Sequence, residues 1–233
     1  FWAPELHYWP SPHDAWFIYV VFNASRIQVL HSSSGSPAGP FEDRGLIANA
    51  GNGSGNAIDP NVLHHPSGKK YLLVKGERMW LTELQMPWAT VGPSAQLPCI
   101  KCPLAGNQWY EAPAAWVRGD KIWLMYSRCN TGPNYELMLA YCGTSADVMD
   151  PSSWTHFSDQ PVIVGNGGDT RGPGHNGWFS SPSEEETWIV YHGTAVNESG
   201  RSSRAMEIPF NSSGWPVIPK TTPAVGKEPA EPQ

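Results

Sequence analysis

Two carboxylic acids and an imidazole stand at matching places along this chain. Asp59 opens Asp59-Pro60-Asn61-Val62, Glu111 opens Glu111-Ala112-Pro113-Ala114, and His175 opens His175-Asn176-Gly177-Trp178. Gathered in one concave mouth, two carboxyls and an imidazole are the minimum set for acid–base work on a glycosidic bond. One group protonates the leaving oxygen while another handles the attacking water or tunes the first. Taken singly, an Asp or Glu before a strand is more often a turn cap. Three ionisable residues at equivalent starts of otherwise apolar strands favour chemistry. Trp2 lies one residue before a fourth such start, Ala3, where a planar ring can pack on the apolar face of a sugar.

The elements that must position these residues are repeated. Each start leads through a turn into an aromatic-rich strand: Trp16-Phe17-Ile18-Tyr19 after Ser11 to Asp14, Tyr71-Leu72-Leu73-Val74 after Pro66 to Gly68, Ile122-Trp123-Leu124-Met125 after Arg118 to Asp120, and Trp188-Ile189-Val190-Tyr191 after Pro182 to Glu184. A third strand is predicted after each, over 26–31, 78–84, 136–141 and 204–210. The starts at Ala3, Asp59, Glu111 and His175 lie 56, 52 and 64 positions apart. Repeated antiparallel meanders of that size predict an all-β chain, a β-propeller whose innermost strands run along a central axis. Their first residues then meet at one mouth. Four units sit at the lower limit for closure, so the expectation is a five-bladed β-propeller whose first blade is missing or incomplete in this chain. Trp16, Trp123 and Trp188 fall on second strands at period two and are expected in the core.

Composition narrows the class. With 233 residues and 40% hydrophobic content the chain can bury a substantial core. Fifteen Lys+Arg against 21 Asp+Glu give a net charge of −6, which argues against a nucleic-acid partner. The longest apolar run, Ala15 to Phe22, is too short to span a bilayer as a helix. Twenty-three Gly and 23 Pro break long helices, and 12 Trp exceed ordinary core needs. Cys99-x-x-Cys102 has no second pair to complete a zinc site, so one or two structural disulfides or buried thiols are expected among Cys99, Cys102, Cys129 and Cys142. Sequons at Asn23, Asn52, Asn197 and Asn211 together with an even cysteine count point to secretion. Residues 1–219 read as one domain and 220–233 as a C-terminal tail.

Trp2-Ala3-Pro4-Glu5-Leu6, Ala57-Ile58-Asp59-Pro60, Tyr110-Glu111-Ala112-Pro113, Gly172-Pro173-Gly174-His175-Asn176 and Gly200-Arg201 through Arg204 occur in an order that resembles glycoside hydrolase family 43. The resemblance runs from residue 1 to about Pro219. It implies a five-bladed propeller that inverts configuration and acts on arabinan, arabinoxylan or xylan, as an α-L-arabinofuranosidase or arabinanase, with β-xylosidase and a non-catalytic carbohydrate-binding propeller as alternatives. It implies Glu111 as general acid and Asp59 as the carboxylate that orients the acid and raises its pKa. Arg201 is implied as a sugar-binding arginine, ahead of Arg204, which is read as a strand-edge charge facing water. His175 is implied near the axis, either as a hydrogen-bonding histidine or beside one calcium ion reached through water. The implied partner is an oligo- or polysaccharide, with no nucleic acid and no membrane, and the protein is expected to be a monomer.

Two departures stand out. The family has Glu-Gly-Pro at the acid, where this chain has Glu111-Ala112-Pro113. The family's general base is an Asp upstream of the Trp-Ala-Pro motif, so no residue here takes that role. Asp14 and Asp43 lie in predicted loops and do not match its context. The sequence as given is therefore expected to hydrolyse glycosides poorly.

Overall fold

The computed structural model describes residues 1–48, 50–51, 53, 56–104, 109–168, 170–195 and 200–222. The chain divides into two compact units: Phe1–Pro98 with Ala146–Ser153, and Cys99–Ser145 with Trp154–Gln233.

The first unit holds two four-stranded antiparallel meanders. One runs β1 (Trp2–Trp9), β2 (Ala15–Phe22), β3 (Arg26–Ser32), β4 (Phe41–Leu46); the other runs β5 (Ile58–His64), β6 (Lys70–Lys75), β7 (Met79–Met86), β8 (Ala89–Gln96). Alternation decides which face is covered. On β2, Ala15, Phe17, Tyr19 and Val21 are buried while Trp16 and Ile18 are only half-buried. The buried set packs with Ile27, Val29, Val62, Leu72 and Val74 into one core. A fully buried side chain of this kind contributes roughly 1.5–3 kcal/mol relative to exposure.

The second unit holds β9 (Tyr110–Arg118), β10 (Lys121–Arg128), β11 (Glu136–Gly143) and the two-residue β12 (Thr155–His156) in one sheet, and β13 (Arg171–Ser180), β14 (Thr187–Thr194) and β15 (Ser202–Glu207) in another. Trp116, Trp123, Met125, Leu137, Leu139, Ile189 and Tyr191 form its core. Trp123 is enclosed by the rings of Tyr141, Phe157, Phe210 and Trp215.

Each of the four innermost strands carries the same defect. Between Trp2↔Val21 and Glu5↔Tyr19, between Ile58↔Lys75 and Asn61↔Leu73, between Glu111↔Ser127 and Ala114↔Met125, and between Gly174↔His192 and Gly177↔Val190, the inner strand has one residue more than its partner. These are β-bulges, which bend a strand and re-aim its side chains. Their first inserted residues, Ala3, Asp59, Ala112 and His175, have φ of 46°, 53°, 52° and 49°. The left-handed region disfavours most side chains, but Asp and His enter it more readily than most, and Ala is small.

Several expectations need correction. The structural equivalent of Asp59 in the third repeat is Ala112, not Glu111, because Glu111 lies one residue before the bulge. Trp16 is not in the core: it falls on the outer face of β2 against Tyr8, ring centroids 5.4 Å apart, whereas Trp123 and Trp188 are fully buried. Asp43 lies on strand β4, not in a loop. Arg204 is half-buried on β15 opposite Tyr191 and does not simply face water. Cys102 bonds Cys129, and Cys99 and Cys142 remain as thiols. Asn23 and Asn211 are exposed in turns. Asn52, Asn197 and most of the tail lie outside the described residues.

Candidate active site

In the second unit the side chains around Glu111 are held from four strands. Glu111 sits at the bulge of β9, half-buried, and its Oε1 accepts a hydrogen bond of 2.8 Å from the hydroxyl of Tyr135. Tyr135 enters β11 from a turn closed by its own N–H on the carbonyl of Gly132, and it is 1% exposed. Two glycines make room here, one for its ring and one for the turn before it. A Cβ on Gly174 would lie 1.9 Å from Cδ1 and Cε1 of Tyr135, and one on Gly172, at φ +57°, would lie 1.8 Å from the Gly132 carbonyl oxygen. The Gly172-Pro173-Gly174 motif is thus a seat for Tyr135, and His175 follows it.

His175 is fixed through its backbone N–H, which donates to Ser127 Oγ at 2.8 Å. Ser127 is itself the β10 partner of Glu111, so one buried hydroxyl ties the strand of the acid to the strand of the histidine. Burial lowers the His175 pKa; the Glu111 carboxylate opposes this and the Arg201 guanidinium adds to it. His192, on β14, stacks on Tyr135 with centroids 5.5 Å apart and planes at 20°, and lies 6.3 Å from the ring of His175. Its Nε2 is 3.2 Å from Nη1 of Arg201. A guanidinium can only donate, so Nε2 accepts and the imidazole proton belongs on Nδ1. Burial, Arg201 and His175 push His192 down to about 4, so it is neutral in ordinary buffers.

In the first unit Asp59 is 7% exposed at the bulge of β5. Glu5, two residues past the bulge of β1, hydrogen-bonds the side chain of Asn61, two residues past the bulge of β5. Burial raises the Glu5 carboxyl to about 7 against the lowering effect of Asn61, and the charge of Asp59 pushes the same way. His7 Nε2 accepts from the Val62 N–H at 3.3 Å, and its ring stacks on His64 at 5.8 Å. Burial lowers His7 to about 3 and His64 to about 4, which keeps both neutral. Trp2 is 56% exposed.

Sequence reasoning singled out Glu111, Asp59, His175, Arg201 and Trp2; it did not single out Glu5, His7, Ser127, Tyr135 or His192, which the structure sets beside them within each unit. Only the doubled glycine before His175 hinted at a bulky neighbour. The 410 Å³ cavity of the second unit is not centred on Glu111: it lies against Tyr135, Arg128, Glu136, Thr170 and Arg171, and neither Glu111, His175 nor Arg201 lines it. Of the cluster around Glu111, only Tyr135 borders this cavity. Around His175 stand Glu111, another imidazole and a guanidinium, so a calcium ion here would take most of its six to eight oxygens from water. Among the described residues no three His, Cys, Asp or Glu come together as a metal site.

The model of Glycosyl hydrolases family 43 matches residues 1–216. The chain belongs to this family. α-L-Arabinofuranosidase 43 of Humicola insolens is 29% identical over 241 residues, and the extracellular exo-α-(1→5)-L-arabinofuranosidase of Streptomyces avermitilis is 26% identical over 240. Each alignment covers 92% of this chain and 49% of the relative, so the chain spans about half the length of these curated relatives. The crystal structure of an α-L-arabinofuranosidase from Lactobacillus brevis superposes with a TM-score of 0.80 at 25% identity, over 97% of this chain and 78% of that one. This family-43 chain therefore has the all-β propeller fold, with four sheets among its described residues. No helix among those residues is long and apolar enough to cross a membrane.

Proposed function

We propose that this chain supplies the acid half of an inverting glycoside hydrolase acting on arabinose-containing polysaccharide, of the α-L-arabinofuranosidase or arabinanase type. The observation that carries the reading is Glu111: a half-buried carboxyl gripped by a buried tyrosine hydroxyl at 2.8 Å, with Arg201 close enough to His175 to shift its titration. Protonated Glu111 gives its proton to the glycosidic oxygen as the bond from that oxygen to the anomeric carbon breaks. Water adds to that carbon from the opposite face and loses its proton to a base. Arg201 donates hydrogen bonds to sugar hydroxyls.

The finer reading is a five-bladed ring whose first blade, carrying the base Asp, precedes residue 1. The arabinose specificity of two extracellular relatives supports the substrate class and a secreted protein. The test uses the protein with its native N-terminus. Arabinan oligosaccharides should be cleaved with inversion, followed by NMR of the first-formed anomer, and Glu111→Gln should lower kcat by roughly 10²–10⁴-fold. A folded protein that binds arabinan but cleaves neither arabinosides nor xylosides would make it a binding propeller instead.

A further inference from the structure

We infer that Tyr135 and His192 act as one stacked positioning unit, whose hydroxyl end sets Glu111 and whose imidazole end sets Arg201. The inference rests on the reading of Glu111 as the acid and assigns residues that the reaction scheme does not name. Three observations carry it. The Tyr135 hydroxyl reaches Glu111 Oε1 at 2.8 Å, and the His192 Nε2 reaches Arg201 Nη1 at 3.2 Å. The two rings are near-parallel at 5.5 Å and pack against one another, which links the position of one to that of the other. Space for the phenol exists because position 174 lacks a side chain, and the turn that delivers Tyr135 fits because position 172 does.

The chemistry of the two ends differs. A phenol donating to one carboxyl oxygen fixes the rotamer of the acid. It also favours the carboxylate that forms as the proton leaves, so it assists protonation of the leaving group. The imidazole holds an exposed arginine, whose many rotamers would otherwise have to be frozen on each binding event. His192 does this as a neutral acceptor, since its burial, and after that Arg201 and His175, oppose its protonation.

Leaving-group dependence separates these roles from mere structural support. The parent with its native N-terminus, Glu111→Ala, Tyr135→Phe and His192→Phe are compared on a methyl α-L-arabinofuranoside, which needs a proton on departure, and on the dinitrophenyl arabinofuranoside, which does not. Tyr135→Phe keeps the stack but loses the hydroxyl. Its kcat on the methyl glycoside should fall roughly tenfold to a hundredfold, the scale of a hydrogen bond to a charged group. Its kcat on the dinitrophenyl glycoside and its KM should stay near the parent's. His192→Phe keeps the stack but loses the acceptor: KM should rise roughly tenfold on both substrates, with leaving-group dependence retained. Tyr135→Leu, which removes the stack, should show both defects.

Equal losses of Tyr135→Phe on the two substrates, or a His192→Phe protein with the parent's KM, overturn the inference while leaving the acid assignment standing. A Glu111→Ala protein that loses no more on the methyl than on the dinitrophenyl glycoside overturns the acid assignment itself. Both phenylalanine variants are near-isosteric, and melting curves matching the parent establish that the kinetic changes are not unfolding.

Discussion

Replacing Gly174 by Ala is the sharpest test of how Tyr135 is held. The backbone at Gly174 is not in the left-handed region, so the substitution carries no φ penalty, and only the added methyl matters. That methyl would sit 1.9 Å from two ring carbons of Tyr135, where ordinary contact begins at 3.4 Å. The ring must withdraw by about 1.5 Å, or β13 must move by the same amount, since backbone and a buried ring cannot give as a flexible side-chain tip can. Overpacking of this kind costs about 1–3 kcal/mol. Moving the ring stretches the 2.8 Å bond to Glu111 beyond hydrogen-bonding range, and losing a bond to a charged partner adds about 1.5–3 kcal/mol. Together these predict a fall in Tm on the order of 10 °C for a chain of this size. Thermal unfolding by circular dichroism measures it. Gly143→Ala is the control, because its Cβ would meet nothing closer than Ser145 Oγ at 4.0 Å. That variant should melt at or slightly above the parent's temperature. If Gly174→Ala melts with the parent, Tyr135 does not occupy the glycine seat and the account of the acid's support is wrong.

Three further outcomes are expected. Glu5 rises from 4.5 to about 7 on folding, so between those values the folded state keeps a proton that the unfolded state releases, and stability falls as pH rises through the window. The loss is at most about 3 kcal/mol because the side chain keeps 25% of its exposure; Glu5→Gln should therefore gain on the parent in urea unfolding from pH 4.5 to 7, and a constant difference across that range would refute the shift. The Cys102–Cys129 bond closes a separation of 27 residues, so the double Cys→Ser variant should lose about 3.5 kcal/mol, and an oxidised parent should titrate two thiols on denaturation. Ala112→Gly should change stability by less than about 1 kcal/mol, because relief of the left-handed alanine (about 1–2 kcal/mol) is offset by chain entropy and a lost buried methyl; a change above about 2 kcal/mol in denaturant titration would contradict that balance.

The hairpins and most of the core were legible because period-two alternation and the repeated turn-strand unit are local signals. Phe17, Tyr71, Trp123 and Trp188 are buried where that alternation puts them. The fourth strands were not. Phe41–Leu46 and Ala89–Gln96 lie at the edges of their sheets with mostly partial or full exposure, so they carry little apolar pattern to read. Tyr135 carried no signal, standing just before the strand predicted over 136–141. Its partners, Glu111, His192 and Gly174, are 24, 57 and 39 positions away, and no local spacing encodes such a meeting. His192 was hidden for the same reason, at the end of a run whose hydrophobic pattern already explained it.

The one-residue offset between Asp59 and Glu111 follows from how a bulge aims side chains. Within each inner strand two residues face a single partner: Ala3 and Pro4, Asp59 and Pro60, Ala112 and Pro113, and His175 and Asn176. The first of each pair takes a positive φ, which turns its side chain away from the pleat that the strand would otherwise follow. Asp59 and His175 use that turned position, and both residue types enter the left-handed region at modest cost. Glu111 stands just before it, on the regular ladder opposite Ser127, where its longer side chain meets the Tyr135 hydroxyl. A carboxyl that must keep one rotamer is better placed on the ladder than on the strained residue. The alanine at 112 then has only a backbone task, which is why a residue with no functional side chain occupies a position that elsewhere in the chain holds an aspartate and a histidine. Four copies of one backbone irregularity thus supply fixed mounting points, and the choice of side chain at or beside each one decides which copy does chemistry.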